Sequence, residues 1–109
     1  MTEYKRISVN DAKPLIDSGE IALVDIRDEQ SFAAGRIRSA RQLDNTSAQQ
    51  FVASADLDVP VIVCCYHGHS SQSAAAWLVD QGFETVYSLD GGFTEWAQTF
   101  PEACESDAA

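Results

Sequence analysis

The sequence predicts an α/β domain built around a mostly parallel sheet. Two apolar runs, residues 21–25 and 61–65, lack the alternation of apolar and polar residues that half-buried strands show, and such runs are typical of parallel strands covered on both faces. Stretches with helical composition or spacing follow the predicted strands along the chain. Strands that alternate with helices favour a parallel sheet flanked by helices, with the functional site at the carboxyl ends of the strands.

The amino-terminal part begins with a short predicted edge strand over residues 4–9. A helix is expected over residues 10–18, with Pro14 in its first turn and Gly19 at its end. The first buried strand, residues 21–25, then closes in charged residues.

Three smaller elements are predicted before the middle of the chain. Residues 29–34 form one or two helical turns that stop at Gly35, residues 37–43 contain a short strand, and residues 46–55 form a helix. The aromatic and aliphatic side chains that we expect to face the core here are Phe32, Phe51 and Val52.

The second half repeats the alternation. The strand at 61–65 precedes a helix that includes residues 73–79 and is capped by Gly82, and a further strand covers residues 85–89. After a turn at residues 90–92, one apolar helix face is formed by Phe93, Trp96, Ala97 and Phe100. Residues 1–100 are therefore predicted to form a single domain, and the acidic residues 101–109 a disordered tail.

The junction after the strand at 61–65 carries the strongest chemical signal. Cys65 begins a short loop that leads into the next helix, where backbone N–H groups converge and the helix dipole is positive. Such a position lowers a thiol pKa from ~8.5, so we predict that Cys65 is the catalytic nucleophile. The predicted substrate-binding loop consists of Tyr66, His67, Gly68, His69, Ser70 and Ser71.

Composition limits the partners. The net charge is −10, and all seven Lys and Arg residues lie at or before Arg41, which argues against nucleic acid. An anionic substrate would therefore be held mainly by backbone amides of the loop.

The three cysteines form no disulfide framework, and no run of some 18 apolar residues or signal peptide is seen. We expect a cytoplasmic protein without a membrane segment.

Four motifs together resemble the rhodanese family, and in particular its single-domain thiosulfate sulfurtransferases. They are the loop at 65–70, the strand end at 24–28, the spacing of Phe32, Gly35, Ile37 and Ala40, and residues 89–96 with Asp90, Gly91, Gly92 and Trp96. One departure is Arg36, where the family usually has His.

The resemblance implies both an architecture and a reaction. The sheet would have five strands, and Cys65 would take the outer sulfur of thiosulfate as a persulfide. The sulfur would then pass to cyanide or to a dithiol protein such as thioredoxin. No cofactor is implied, and we expect a monomer or a weak homodimer.

A cysteine-dependent phosphatase or arsenate reductase is an alternative, because its loop also places a cysteine between a strand and a helix. Gly68 falls at the right position for that motif, but the phosphate-clamping Arg would fall at Ser71. Without a bidentate Arg, phosphoryl transfer loses its main charge stabiliser.

A metal site at His67 and His69 is disfavoured because the spacing is not that of a structural zinc site. Cys64 should point away from Cys65 and be buried, since side chains alternate along a strand. Asp25 and Arg27 are interpreted as a structural ion pair or as contributors to the site, and Cys104 as incidental.

The alternative from another functional class is a rhodanese-like binding or regulatory module without catalysis. A cysteine at the first position of the loop argues against it, because a binding module does not need a thiol with a lowered pKa.

Overall fold

The computed structural model describes residues 3–107, and within them five parallel strands form the central sheet. In spatial order the strands are β1 (Lys5–Ile7), β6 (Val86–Leu89), β5 (Val61–Cys64), β2 (Ala22–Asp25) and β4 (Arg41–Gln42). The predicted parallel five-stranded sheet and the edge position of the first strand are confirmed. The helices are α1 (Val9–Ser18), α2 (Glu29–Ala34), α3 (Asn45–Ser54), α4 (Ser70–Asp80) and α5 (Gly92–Thr99).

The helices cover both faces of the sheet, and each face has its own apolar core. Along β5, Ile62 and Cys64 pack on one face with Trp96 of α5 and residues of α1. Val61 and Val63 pack on the other face, against α3 and α4. A strand covered on both sides needs apolar residues at every position, which explains the run without alternation. No helix in the described part of the chain is long and apolar enough to cross a membrane.

Local hydrogen bonds set where the helices begin. Ser8 accepts a hydrogen bond from the backbone N–H of Asp11, so α1 begins at Val9. Asp44 and Ser47 form a capping box at the start of α3.

Pro14 does not lie in the first turn of α1, as predicted, but inside the helix. A proline there removes the N–H that would bond to the carbonyl group four residues earlier, at Asn10. Both residues are exposed, so water can solvate the freed carbonyl group.

The expected strand at 37–43 is two strands that belong to different sheets. Ser39 has a φ of 76°, and the chain turns there between β3 (Arg36–Ile37) and β4. Phe32, expected to face the core, is only half-buried and lies against Arg36, whose guanidinium is 4.7 Å from the ring centre.

The segment after Phe100 differs from the expected disordered tail, because it is ordered as far as Asp107. Residues Pro101–Ala103 form a 3₁₀ turn, and β7 (Cys104–Glu105) pairs antiparallel with β3. Arg36 bonds to Asp107 at 2.8 Å, so the acidic carboxyl-terminal segment meets a basic residue from the first half of the chain. Residues 1–2 of the predicted domain and 108–109 of the predicted tail lie outside the described residues.

Candidate active site

Cys65 lies at the carboxyl edge of the sheet, at the crevice where the strand order reverses. From β2 the chain moves outward to β4, whereas from β5 it moves the opposite way to β6. The β2 and β5 ends therefore flank the switch point at which parallel α/β sheets bind their ligands. Cys65 follows β5 directly, and the loop runs from it into α4.

The sulfur of Cys65 is surrounded by hydrogen-bond donors of its own loop. The backbone N–H groups of Gly68 and Ser71 donate to Sγ at 3.2 and 3.3 Å, and the Ser71 hydroxyl lies 3.3 Å from Sγ. The sulfur therefore takes the place of a cap at the start of α4, whose N-cap residue, His69, makes no side-chain cap. Cys65 is 3% exposed.

Burial and hydrogen bonding act on the Cys65 thiol in opposite directions. Burial raises its pKa, but hydrogen bonds from the Ser71 hydroxyl and from the N–H groups of Ser71, Gly68 and His67 together lower the pKa below its ordinary value. Hydrogen bonds to a charged form favour that form. The site thus stabilises a thiolate with neutral donors alone.

Cys64 has the opposite character. It is fully buried in the core shared with Ile62 and Trp96, and burial raises its pKa well above its ordinary value. The predicted burial of Cys64 is confirmed, and the structure places this residue on the side of the sheet away from α4. Cys64 is therefore a packing residue, and the loop donors act on Cys65.

The structure brings only part of the predicted loop to the sulfur. Gly68 and Ser71 are buried against it, whereas the loop residues exposed around its rim are Tyr66, His67, His69 and Ser70. Gly68 has a φ of 90°, and a Cβ there would lie 2.9 Å from the backbone nitrogen of Gly91. The loop therefore requires glycine at this position.

Two backbone N–H groups at the start of α5 hydrogen-bond to the backbone of the loop. The N–H groups of Phe93 and Thr94 donate to the carbonyl oxygens of Cys65 and Tyr66 at 2.8 and 3.1 Å. A Cβ at Gly92 would lie 2.5 Å from the carbonyl oxygen of Cys65. The two glycines of residues 91–92 thus border the loop.

Nothing in the sequence identifies Ser88 as part of the site. Its hydroxyl on β6 lies 2.7 Å from the Ser71 hydroxyl, and both residues are 0% exposed. The only local signal was a polar residue within the otherwise apolar β6.

Asp25 and Arg27 form a buried ion pair with an N–O distance of 2.8 Å. Arg27 also donates to the carbonyl oxygen of Gly35 at 2.6 Å, and its guanidinium lies 4.3 Å from the Phe93 ring centre and 5.5 Å from that of Tyr66. The pair therefore supports the outer part of the loop from the neighbouring strand end.

Tyr66 ties the loop to α2. Its hydroxyl donates to the carboxylate of Asp28, which also caps α2, and lies within hydrogen-bond distance of the Ser31 hydroxyl. This bond from Tyr66, together with bonds from Ser31, lowers the pKa of Asp28 to about 2.

Residues 3–107 contain a cavity apart from the Cys65 loop but no cluster of metal-ligating side chains. No group of three or more His, Cys, Asp or Glu side chains in this range is placed to hold a metal ion. A cavity of about 530 Å³ lies between α3 and α4, with Ile26, Asp44 and Trp77 among its lining residues. None of the loop residues 65–71 lines this cavity, so it is separate from the Cys65 site, where the thiol and its hydrogen-bond donors lie.

Comparisons with known proteins agree with this geometry. The family model for the rhodanese-like domain matches residues 8–99. A curated relative from Stutzerimonas stutzeri (strain A1501), named thiosulfate sulfurtransferase GlpE, is 57% identical, with 98% of this chain and 97% of the relative covered. The protein of the same name from Ectopseudomonas mendocina (strain ymp) is 59% identical, over 93% of this chain and 92% of its own length.

Solved structures show the same fold at low sequence identity. The rhodanese-like domain of an Anabaena protein has a TM-score of 0.80 at 20% identity, covering 93% of this chain and 78% of that one. A rhodanese-related protein from Thermoplasma volcanium has a TM-score of 0.74 at 22% identity, covering 88% of this chain and 93% of its own.

Proposed function

The chain belongs to the rhodanese family, and from this membership we propose that it is a thiosulfate sulfurtransferase whose Cys65 carries sulfur as a persulfide. The observation that carries the proposal is the set of neutral donors around the Cys65 sulfur, from Gly68 and Ser71. Relatives of 57 and 59% identity are named thiosulfate sulfurtransferase.

In the first half-reaction the Cys65 thiolate attacks the outer sulfur of thiosulfate. A bond forms between Sγ and that sulfur, the bond between the two sulfur atoms of thiosulfate breaks, and sulfite leaves with the electron pair. Cys65 is then a persulfide with a negative terminal sulfur. No proton moves in this step, so a general base is not required.

In the second half-reaction a thiophilic acceptor removes the terminal sulfur. Cyanide attacks it, the bond to Sγ breaks, and thiocyanate leaves while the thiolate is restored. A dithiol protein such as thioredoxin would accept the sulfur in the same way. The loop donors favour negative charge at Sγ both before the first step and after the second.

The loop also argues against phosphoryl transfer. Ser71 occupies the place of the phosphate-clamping Arg and bonds to the sulfur, and the nearby Arg27 is paired with Asp25. A phosphate ester would thus meet no bidentate cation at the position that the phosphatase motif requires.

Steady-state kinetics test the proposal. With thiosulfate and cyanide varied together, we expect the parallel double-reciprocal lines of a ping-pong mechanism, with thiocyanate as product. Cys65→Ser should abolish turnover, whereas Cys104→Ser, a matched loss of a thiol outside the loop, should retain it. Intersecting lines, or turnover that survives Cys65→Ser, would overturn the persulfide mechanism, and a stable protein without turnover would indicate the binding module.

The location and the assembly of the enzyme are further proposals. Cys64, Cys65 and Cys104 are all free thiols, which supports a cytoplasmic location because reducing compartments keep thiols free. We further propose a single domain, with which the segment after Phe100 pairs through β7 and Asp107, and a monomer or weak homodimer.

A further inference from the structure

Ser88 is one of four buried polar or charged residues in the described chain, with Asp25, Arg27 and Ser71. Asp25 and Arg27 form an ion pair with each other. The burial of the other two needs a separate explanation, since a buried hydroxyl is unfavourable unless it is hydrogen-bonded. Alanine would fill a similar volume on β6 without that penalty.

Ser88 lies on the face of β6 that carries α4. It shares this face with Val86, because side chains alternate along a strand, and Val86 packs in the same core as Ala75 and Leu78 of α4. Ser88 is also opposite Val63 of β5 in the sheet register. This placement brings its hydroxyl to the first turn of α4, where Ser71 lies.

The two hydroxyls and the sulfur form a continuous chain. Ser88 Oγ lies 2.7 Å from Ser71 Oγ, and Ser71 Oγ lies 3.3 Å from Cys65 Sγ. A hydroxyl donates one hydrogen bond and accepts others. When Ser71 donates to the sulfur, its oxygen can accept the proton of Ser88.

The direction of these two hydrogen bonds depends on the charge of the sulfur. A neutral thiol donates to Ser71, which can then donate to Ser88. A thiolate only accepts, so Ser71 donates to the sulfur and Ser88 donates to Ser71. Hydrogen-bond chains polarise one another, so the second hydroxyl strengthens the donation from the first.

We propose that Ser88 is a positioning residue that acts through Ser71 to hold the Cys65 sulfur in its anionic form. This inference rests on the proposed role of Cys65 as nucleophile. Ser88 does not contact the sulfur or the substrate in this scheme; it fixes the orientation of the Ser71 hydroxyl that does.

The experiment is the rate of Cys65 alkylation by iodoacetamide as a function of pH. Wild type, Ser88→Ala, Ser71→Ala and the double variant are compared, and peptide mass spectrometry separates labelling of Cys65 from that of Cys64 and Cys104. The other ionisable groups around the loop are unchanged in all variants. They are Cys64, His67, His69, the Tyr66–Asp28 pair, the Asp25–Arg27 pair and the Arg6–Asp90 pair.

In Ser88→Ala we expect the Cys65 pKa to rise by about half a unit to one unit, the size of one hydrogen bond. Labelling at a pH below the pKa should slow by about three- to tenfold. The same substitution in the Ser71→Ala background should have no further effect, because the connection to the sulfur is already broken.

Val86→Ala is the matched control, since it loosens the same face of β6 without removing a hydroxyl. It should lower stability to urea but leave the Cys65 pKa unchanged. An unchanged pKa in Ser88→Ala would overturn the proposal. An equal rise of the Cys65 pKa in Val86→Ala would also overturn it. So would an effect of Ser88→Ala on this pKa that stays the same in the Ser71→Ala background.

Alkylation does not depend on sulfur transfer. A protein that fails to turn over thiosulfate but shows this coupling would refute the proposed function. The positioning role of Ser88 would still hold. A protein that turns over thiosulfate without this coupling would support the proposed function and refute the positioning role of Ser88.

Discussion

At Cys65, hydrogen-bond donors of the protein take the place of water around the sulfur anion. Burial alone raises the pKa of this thiol, and the hydrogen bonds of Ser71, Gly68 and His67 reverse that effect. The donors are fixed before the reaction begins, so they need little reorganisation as charge changes on the sulfur. This balance depends on backbone positions, and these in turn depend on residues that carry no chemistry.

Gly92 is the residue on which the backbone position of Cys65 depends most directly. In Gly92→Ala the added Cβ would lie 2.5 Å from the carbonyl oxygens of Cys65 and Tyr66, and the φ of 59° is unfavourable for alanine. We expect a loss of about 2–4 kcal/mol in the free energy of unfolding, from overpacking and backbone strain together. Urea unfolding measures this loss.

Gly19→Ala is the matched control for this change. Gly19 has a similar φ of 73°, but apart from its chain neighbours no atom of the described residues lies within 4 Å of an added Cβ. This variant should lose about 1 kcal/mol from conformation alone and keep the reactivity of Cys65, whereas Gly92→Ala should alter that reactivity. Equal losses of unfolding free energy in the two variants would contradict a role for the close approach of Gly92 to the loop backbone.

At the scale of elements, the loop is held between two helix ends. The N–H groups at the start of α5 bind the carbonyl oxygens of Cys65 and Tyr66. On the other side, the Tyr66 side chain reaches Asp28, the residue that caps α2. One carboxylate therefore both begins a helix and anchors the loop.

Removing the Tyr66 hydroxyl should weaken this anchor in a pH-dependent way. The pKa of Asp28 is about 2 in the folded protein, below the ordinary 3.8, with the bond from Tyr66 as its largest cause. In Tyr66→Phe we expect this pKa to rise towards 3.8. Carbon-13 NMR of the Asp28 carboxyl group measures it, and Asp44, whose lowered pKa arises from Ser47 and Thr46, serves as the control.

The sign of the stability effect follows from this shift. A carboxyl group with a lowered folded pKa stabilises the protein above its unfolded pKa, and that contribution is lost as the pH falls through the folded pKa. The difference in unfolding free energy between wild type and Tyr66→Phe should thus be largest above pH 4 and should shrink as the pH falls towards about 2. A constant difference over this range, or an Asp28 pKa that does not move, would contradict the anchor.

At the scale of the whole molecule, the sequence predicted those features that depend on residues close together along the chain. The apolar run that ends at Cys65 indicated a buried parallel strand, and the loop into α4 indicated a thiolate site. Both inferences rest on a few consecutive positions. Ser88 and the bond between Asp28 and Tyr66 act across the fold, and no local pattern distinguishes these residues from ordinary strand and surface residues.

Long-range charge pairing explains why the end of the chain was misjudged. Residues after Phe100 are acidic and small, a composition typical of a disordered tail. Two arginines contact this segment: Arg36 pairs with the Asp107 carboxylate, and Arg38 donates to the backbone carbonyl oxygen of Glu102. Both lie more than 60 positions earlier in the sequence. Only the fold brings these arginines beside the last segment, where β7 also pairs with β3.

The central claim is that Cys65 carries the transferred sulfur, and intact mass after incubation with thiosulfate tests it most directly. We predict that wild type and Cys104→Ser gain one sulfur, about 32 Da, and lose it on addition of cyanide. Cys65→Ser should gain nothing. A folded wild type that does not gain mass, or a gain that persists in Cys65→Ser, would contradict the account.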